Sequence, residues 1–219
     1  MDVVMTALFT KLPDPARGTY LIPEIATIQE LYDSVRDCKL VIFHDEMEIE
    51  NYSNVIFECV DSGTNVHFQR FIVFKDWLEK HPEVDKVWCV DGTDTEMLHL
   101  PFNEQEDGVL YVGSESQTVG NPWLFKEHPS IRPFISEHGD LKLLNCGLIG
   151  GDRSTVLEFL NDFVAGMPDA VTGGDSFEMG LFNFTLYTKW AFRFITGEKV
   201  HTIFGAWQRD DKVAWWRHK

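Results

Sequence analysis

Positive charge is scarce in this chain. Lys and Arg number 19 against 35 Asp and Glu, a formal net charge of −16 at pH 7. That balance argues against a general nucleic-acid binder and against an anionic membrane surface as the main partner, while leaving room for a local basic pocket that takes a phosphate. Long hydrophobic runs are missing too: no apolar stretch approaches the roughly 18 residues needed to cross a bilayer, and no secretory signal peptide opens the sequence. Cysteine is sparse. Cys38, Cys59, Cys89 and Cys146 lie far apart with no Cys-x-x-Cys pair, and three of them sit in or beside apolar runs. They read as reduced core thiols of a soluble, cytoplasmic protein, which for a viral chain means the host cytoplasm. A Gly-x-Gly-x-x-Gly fingerprint is missing after the first apolar run, as is a Walker A loop. Dinucleotide and P-loop readings therefore have no support. Nothing repeats internally.

What the sequence does contain is a core. At 219 residues, with seven tryptophans and seventeen phenylalanines, a single globular domain is the expectation and disorder is not. Val3–Thr10 reads as a first strand, broken by Lys11-Leu12-Pro13-Asp14-Pro15. Pro23–Arg36 carries helical spacing through Ile25, Ile28, Leu31, Tyr32 and Val35. Lys39–His44 and Asn54–Val60 are strands, Val66–Lys80 a helix closed by His81-Pro82, and Val87–Val90 another strand. Strand and helix alternation of this kind predicts an α/β fold with a mostly parallel sheet wrapped by helices. Further on, Val109–Gly113 and Leu141–Gly151 read as strands around an irregular or short-helical insertion over Asn121–Gly139. A helix opens at Asp152 or Ser154, Val171–Gly174 is a loop, and a second helix opens at Asp175. Two short strands, Ala191–Thr196 and Val200–Phe204, precede an aromatic tail bearing Trp207, Trp215 and Trp216.

Four stretches carry chemistry. The strand Val87–Val90 ends abruptly in Asp91-Gly92-Thr93-Asp94-Thr95-Glu96, a turn presenting carboxylates at the carboxyl end of a strand, where ligands bind in open α/β sheets. Clustered carboxylates there suit a hard divalent cation, Mg²⁺ or Mn²⁺; a solvated acidic turn is the alternative. Asn145-Cys146-Gly147-Leu148-Ile149-Gly150-Gly151 places three glycines around an apolar strand, consistent with close backbone approach to a ligand or with a β-bulge. Gly173-Gly174-Asp175-Ser176-Phe177-Glu178 sets a flexible loop before Asp175, which reads as an N-cap or as a base or hydroxyl ligand. At the end, His218 and Lys219 follow a tail too aromatic to float free. If it folds over the strand ends, His218 reaches a metal and Lys219 a phosphate. His201 is a second candidate ligand or a structural imidazole; Arg70 is a surface residue or a nucleotide contact; Asn183 is a structural or exposed amide.

Together these residues resemble glycosyltransferases of the GT-A fold, close to the small bacterial and phage-type enzymes. The features are the Asp-containing turn after an apolar strand, the Asn-x-Gly-hydrophobic-x-Gly-Gly strand, the acidic helix start and the closing His-Lys. The resemblance covers most of the chain and implies a single Rossmann-like GT-A domain over 1–219, with a nucleotide-binding half over 1–100. Residues 101–219 then form the half for the acceptor and donor sugar, with a closing tail. It implies a nucleotide-diphosphate sugar donor, UDP being the expected carrier, and Mn²⁺ or Mg²⁺. By this resemblance Asp94, Asp91 and His218 hold the metal. Thr6, Ala7, Phe9 and Thr10 cradle the nucleoside, joined by Arg70, Asp91 and Gly92. Asn145 and Gly147 face the donor sugar, Lys219 meets the diphosphate, and Asp175 is the catalytic carboxylate. Asp-Gly-Thr-Asp is one residue longer than a strict DxD, and Asp94-Thr95-Glu96 fits as a variant, so which pair meets the metal stays open. The acceptor is equally open among a glycan, a protein and a modified nucleobase. Two rival functions stand beside this one: a nucleotidyltransferase, and a non-catalytic carbohydrate- or partner-binding domain.

Overall fold

The computed structural model describes residues 1–15, 18–48, 52–206 and 212–219; Trp207 and part of the loop after the first strand lie outside them. The elements in chain order are β1 (Val3–Leu8), a 3-10 turn at Ile25–Ile28 leading into α1 (Gln29–Ser34), β2 (Lys39–His44), β3 (Val55–Cys59) and α2 (Val66–Lys80). Then come β4 (Lys86–Val90), β5 (Thr95–Met97), β6 (Leu110–Thr118), α3 (Pro122–Glu127) and α4 (Arg132–Glu137). The chain continues with β7 (Lys142–Asp152), α5 (Arg153–Thr172), α6 (Met179–Lys189), β8 (Phe194–Ile195) and β9 (Trp216–His218).

Seven strands form one sheet in the order β3-β2-β1-β4-β7-β6-β8. All run parallel except β7, which lies antiparallel between β4 and β6. The fold is therefore α/β with a mostly parallel central sheet, compatible with a Rossmann-like layering. Strands such as β2 read as unbroken apolar runs because helices or a second layer cover both faces. Alternation along β1 sorts the core: Val3 and Met5 join Phe71, Phe74, Phe159 and Phe163 of α2 and α5, whereas Val4 and Leu8 join Leu31, Trp88 and Trp216 on the opposite face. A smaller cluster, including Val119, Leu124, Phe134 and Leu143, seats α3 and α4 over the far end of β7.

Several expectations are corrected. The turn after β4 stops at Asp94, because Thr95–Met97 pairs antiparallel with β9. β6 runs on to Thr118, and α5 continues through Val171 and Thr172. Asp175 does not open a helix: α6 starts at Met179 behind Glu178, since the Asp175 carboxylate is already bound by Ser130. The helix expected over Pro23–Arg36 is reduced to the 3-10 turn and α1. Of the two late strands only Phe194–Ile195 forms; His201 and Phe204 make isolated bridges to Trp216 and Glu115. Cys59 is exposed, so it is not a core thiol; Cys89 and Cys146 are buried, and all four are free thiols. Among the described residues no helix is long and apolar enough to cross a membrane.

Candidate active site

Where β4 ends, its chain leaves the sheet with Asp91. The Asp91 N–H donates to the Gly147 carbonyl on β7 at 2.8 Å, and the Thr95 hydroxyl donates to the Asp91 carbonyl. Gly92 takes the tight spot in the turn: a Cβ there would meet Ile28 Cγ2 at 2.7 Å and Thr6 Oγ1 at 2.9 Å. Asp94 is fixed from the other side, its carbonyl accepting the Lys219 N–H at 2.9 Å. Pairing of β5 with β9 sets Thr95 opposite His218. Trp215 and Trp216 anchor that ribbon by packing on Trp88 at ring-centroid distances of 6.1 and 5.4 Å.

The result is a cluster of Asp91, Asp94 and His218 whose ligand atoms all lie within 4.8 Å of one another. His218 Nε2 stands 3.8 Å from Asp94 Oδ1 and 4.0 Å from Asp91 Oδ2. The imidazole is only 2 % exposed, and among the described residues neither ring nitrogen has a hydrogen-bond partner. A buried imidazole left without partners is costly unless something else occupies its lone pair. Burial, partly opposed by Asp91, lowers its pKa to about 4, so it is neutral at pH 7, the form that ligates a metal. Two carboxylates and one imidazole suit Mn²⁺ better than Mg²⁺, which favours an all-oxygen shell.

Behind the cluster lies Arg70, on α2, a largely covered residue held between two acids rather than free on the surface. Its Nη1 donates to Asp91 Oδ1, and its Nη2 donates to Glu178 Oε1 at 2.7 Å and contacts Cys146 Sγ at 3.3 Å. Asp91 is thus split between its two oxygens, one on Arg70 and one facing His218. Burial alone would raise the Glu178 carboxyl pKa, but Arg70 and His67 outweigh it and hold the group well below the usual carboxylate range. His67 lies between Glu178 and Asp14, at 3.3 and 3.4 Å, and its pKa is raised because Glu178 overcomes the effect of burial.

This corner opens into a cleft of about 400 Å³. Ala7 and Phe9 line it; Thr6 and Thr10 do not, because the Thr6 hydroxyl donates to Val90 O and Thr10 is turned onto Asp45. Gly92 and Asn145 line it too. The Asn145 amide is locked, its Oδ1 accepting the Gly147 N–H at 2.7 Å and its Nδ2 donating to Glu115 Oε1 at 3.0 Å. Gly147 sits behind Asp91 rather than in the cleft wall. Lys219 is outside it, with Nζ on Glu30. Glu96 pairs with Arg217 at 2.6 Å, and His201 is held by the backbone of Ser114 and Ile203, so neither joins the cluster. Asn183 is a structural amide bridging α6 to Leu144 of β7.

Asp175 lies off the cleft. Its buried carboxylate accepts the Ser130 N–H at 2.9 Å and the Ser130 hydroxyl at 2.6 Å, with His128 Nδ1 at 3.7 Å. The acids that do line the cleft and were missed are Glu178, Glu115 and Asp14. Glu178 belongs to the same Gly-Gly-Asp-Ser-Phe-Glu stretch that drew notice to Asp175, three residues along, past the turn. Glu115 lies at the continuation of β6 and no motif marked it; burial raises its pKa, opposed only by the Asn145 hydrogen bond.

Comparison of the chain with models of known protein families found no match, and neither did a comparison with curated protein sequences.

Proposed function

We propose that this chain is a metal-dependent glycosyltransferase of the GT-A type, moving a sugar from a nucleotide-diphosphate sugar, with UDP as carrier, to an acceptor hydroxyl. The observation that carries this reading is the Asp91, Asp94 and His218 cluster at the carboxyl end of β4, beside a cleft large enough for a nucleotide. A divalent cation held by these three residues would offset the charge that grows on the diphosphate as it leaves.

The chain's own residues account for the rest. Ala7 and Phe9 offer an apolar floor for the nucleobase. Arg70 holds the Asp91 carboxylate in orientation. The locked Asn145 amide and Glu115 face the sugar side of the cleft. The acceptor oxygen forms its bond to the anomeric carbon as the bond from that carbon to the diphosphate breaks, the pair leaving with the diphosphate. The acceptor proton passes to Glu115, whose raised pKa makes it a better base than a fully solvated carboxylate. Asp175 was expected in that role and is too far engaged with Ser130 to fill it.

The test is thermal melting with UDP-glucose, UDP-galactose and GDP-mannose, each with and without Mn²⁺, on the wild type and Asp94→Ala. A ligand at about a hundredfold its Kd adds about 2.7 kcal/mol to the folded state, which raises Tm by roughly 5–10 °C in a chain of this size. A Mn²⁺-dependent shift that is lost in Asp94→Ala supports the transferase and names the carrier base. Absence of any nucleotide shift rejects it in favour of a binding domain without chemistry.

A further inference from the structure

Beyond the donor, the cleft extends to a wall of which the transfer chemistry above uses Glu115 alone. Trp123 stands there on α3, 43 % exposed, on a short helix started by the Asn121 side chain, whose Oδ1 accepts the Leu124 N–H at 2.9 Å, with Pro122 in the first turn. Its orientation is set by two rings. Phe177 lies 5.5 Å away at an interplanar angle of 36°, and buried His128 packs edge-on at 5.6 Å and 76°. Phe177 is itself braced edge-on by His67 at 5.5 Å. Glu115 and Gln117, from the outer part of β6, line the same cleft. A large aromatic held rigidly by its neighbours yet left nearly half open beside a carboxylate and an amide is built for a ligand rather than for the core.

We propose that this wall is the acceptor subsite and that it takes the ring of an uncharged pyranose, which makes the acceptor a neutral saccharide. The word acceptor rests on the transferase reading; the saccharide site itself does not. The C–H face of a pyranose is apolar and weakly positive, and it complements the negative face of an indole. Its hydroxyls need the mixed donors and acceptors that Glu115 and Gln117 supply. Charge selects against the alternatives. Among the described residues lining the cleft the acids are Asp14, Asp91, Asp94, Glu115 and Glu178, and the sole Lys or Arg is Arg70, with both Nη atoms already committed to Asp91 and Glu178. A phosphorylated, sialylated or nucleic-acid acceptor would enter against that field. The 36° tilt between Trp123 and Phe177 also offers no parallel slot in which a base could be sandwiched.

Saturation-transfer NMR tests this with methyl β-glucopyranoside, methyl β-galactopyranoside and the methyl glycoside of N-acetylglucosamine, alongside thymidine 5′-monophosphate as an anionic base probe. Each is measured with and without Mn²⁺ and UDP. The expected result is transfer to the ring protons of at least one neutral glycoside, binding roughly tenfold weaker in Trp123→Ala and largely kept in Trp123→Phe. Circular dichroism checks the fold of each variant; should Trp123→Ala not fold, Gln117→Ala carries the test, with binding several-fold weaker expected. Glycosides that give no transfer in either state, an unchanged signal in the variants, or preferential binding of thymidine monophosphate overturns the inference. Glycoside binding without any nucleotide-induced melting shift would leave the saccharide site standing and remove the transferase reading alone.

Discussion

Gly147 lies so close to Asp91 that a Cβ at position 147 would fall 2.3 Å from Asp91 Oδ2 and 2.9 Å from His218 Cε1. The missing side chain on β7 is what lets the carboxylate and the imidazole meet. Gly147→Ala should therefore push Asp91 off His218 while leaving the strand pairing of β7 in place. We expect Mn²⁺ affinity, followed by calorimetric titration, to fall at least about tenfold, as for other changes that disturb ligand orientation. Unaltered Mn²⁺ affinity in a folded Gly147→Ala protein would show that this cluster is not the metal site.

Arg70 is the hinge between that cluster and Glu178. Removing it by Arg70→Met leaves Glu178, 3 % exposed at its side chain, with His67 alone, and breaking a buried pair in this way costs up to about 3–5 kcal/mol. The double variant Arg70→Met/Glu178→Gln removes both charges and should recover much of that loss in urea unfolding. Its Mn²⁺ affinity should stay low, because Asp91 has lost the partner that orients it. Equal destabilisation in the single and double variants would refute the pairing.

Sheet layering and the meeting of Asp91, Asp94 and His218 were legible because each rests on local pattern. Apolar runs of strand length mark β1, β2 and β4, and the acids follow β4 directly in the chain. His218 could be placed only by asking where three tryptophans near the end would be buried. What stayed hidden depends on tertiary choice between equivalent groups. Asp175 and Glu178 are both acids after the same glycine pair, and only the presence of Ser130 beside one and Arg70 beside the other decides which faces the cleft. Arg70 looked like a surface residue because α2 carries charged residues that do face outward, Glu79 and Lys80 among them, and its sequence does not separate them from the one turned onto Asp91 and Glu178. Trp123 and Glu115 belong to segments with no motif and come together only in the lining of one cleft.

Acid should weaken the fold through Asp152, the cap of α5. Its carboxylate accepts the Thr155 N–H at 2.9 Å and the Gly108 N–H at 2.7 Å, together with the hydroxyls of Ser154 and Thr155. Burial alone would raise its pKa, yet these donors lower it to about 2. A depressed folded-state pKa means the contribution is fully present above the unfolded value near ~3.9 and is lost as pH falls towards about 2. The shift corresponds to about 2 kcal/mol for this nearly buried group. Urea unfolding from pH 6 down to pH 2 should show that loss in the wild type. In Asp152→Asn, stability at pH 6 should be lower and the acid-dependent part shallower. Parallel pH curves for the two proteins would refute the assignment.

The tail was expected to be too aromatic to float free, and its packing shows what holds it. Trp216 is fully buried against Trp88 and Val4 on the face of the sheet opposite α2, and β9 completes the two-stranded ribbon with β5. The tail's anchoring is therefore supplied by the hydrophobic core, with His218 carried along two residues later. Trp216→Ala should cost about 3–5 kcal/mol in ligand-free protein, the range for removing a large aromatic from a packed core. The urea midpoint should drop with little change in slope. Because the same change loosens β9, Mn²⁺ binding should weaken in parallel. A tail that merely closes over donor would behave otherwise: ligand-free stability would be unaffected by Trp216→Ala, and only the stabilisation added by UDP-sugar and Mn²⁺ would be lost.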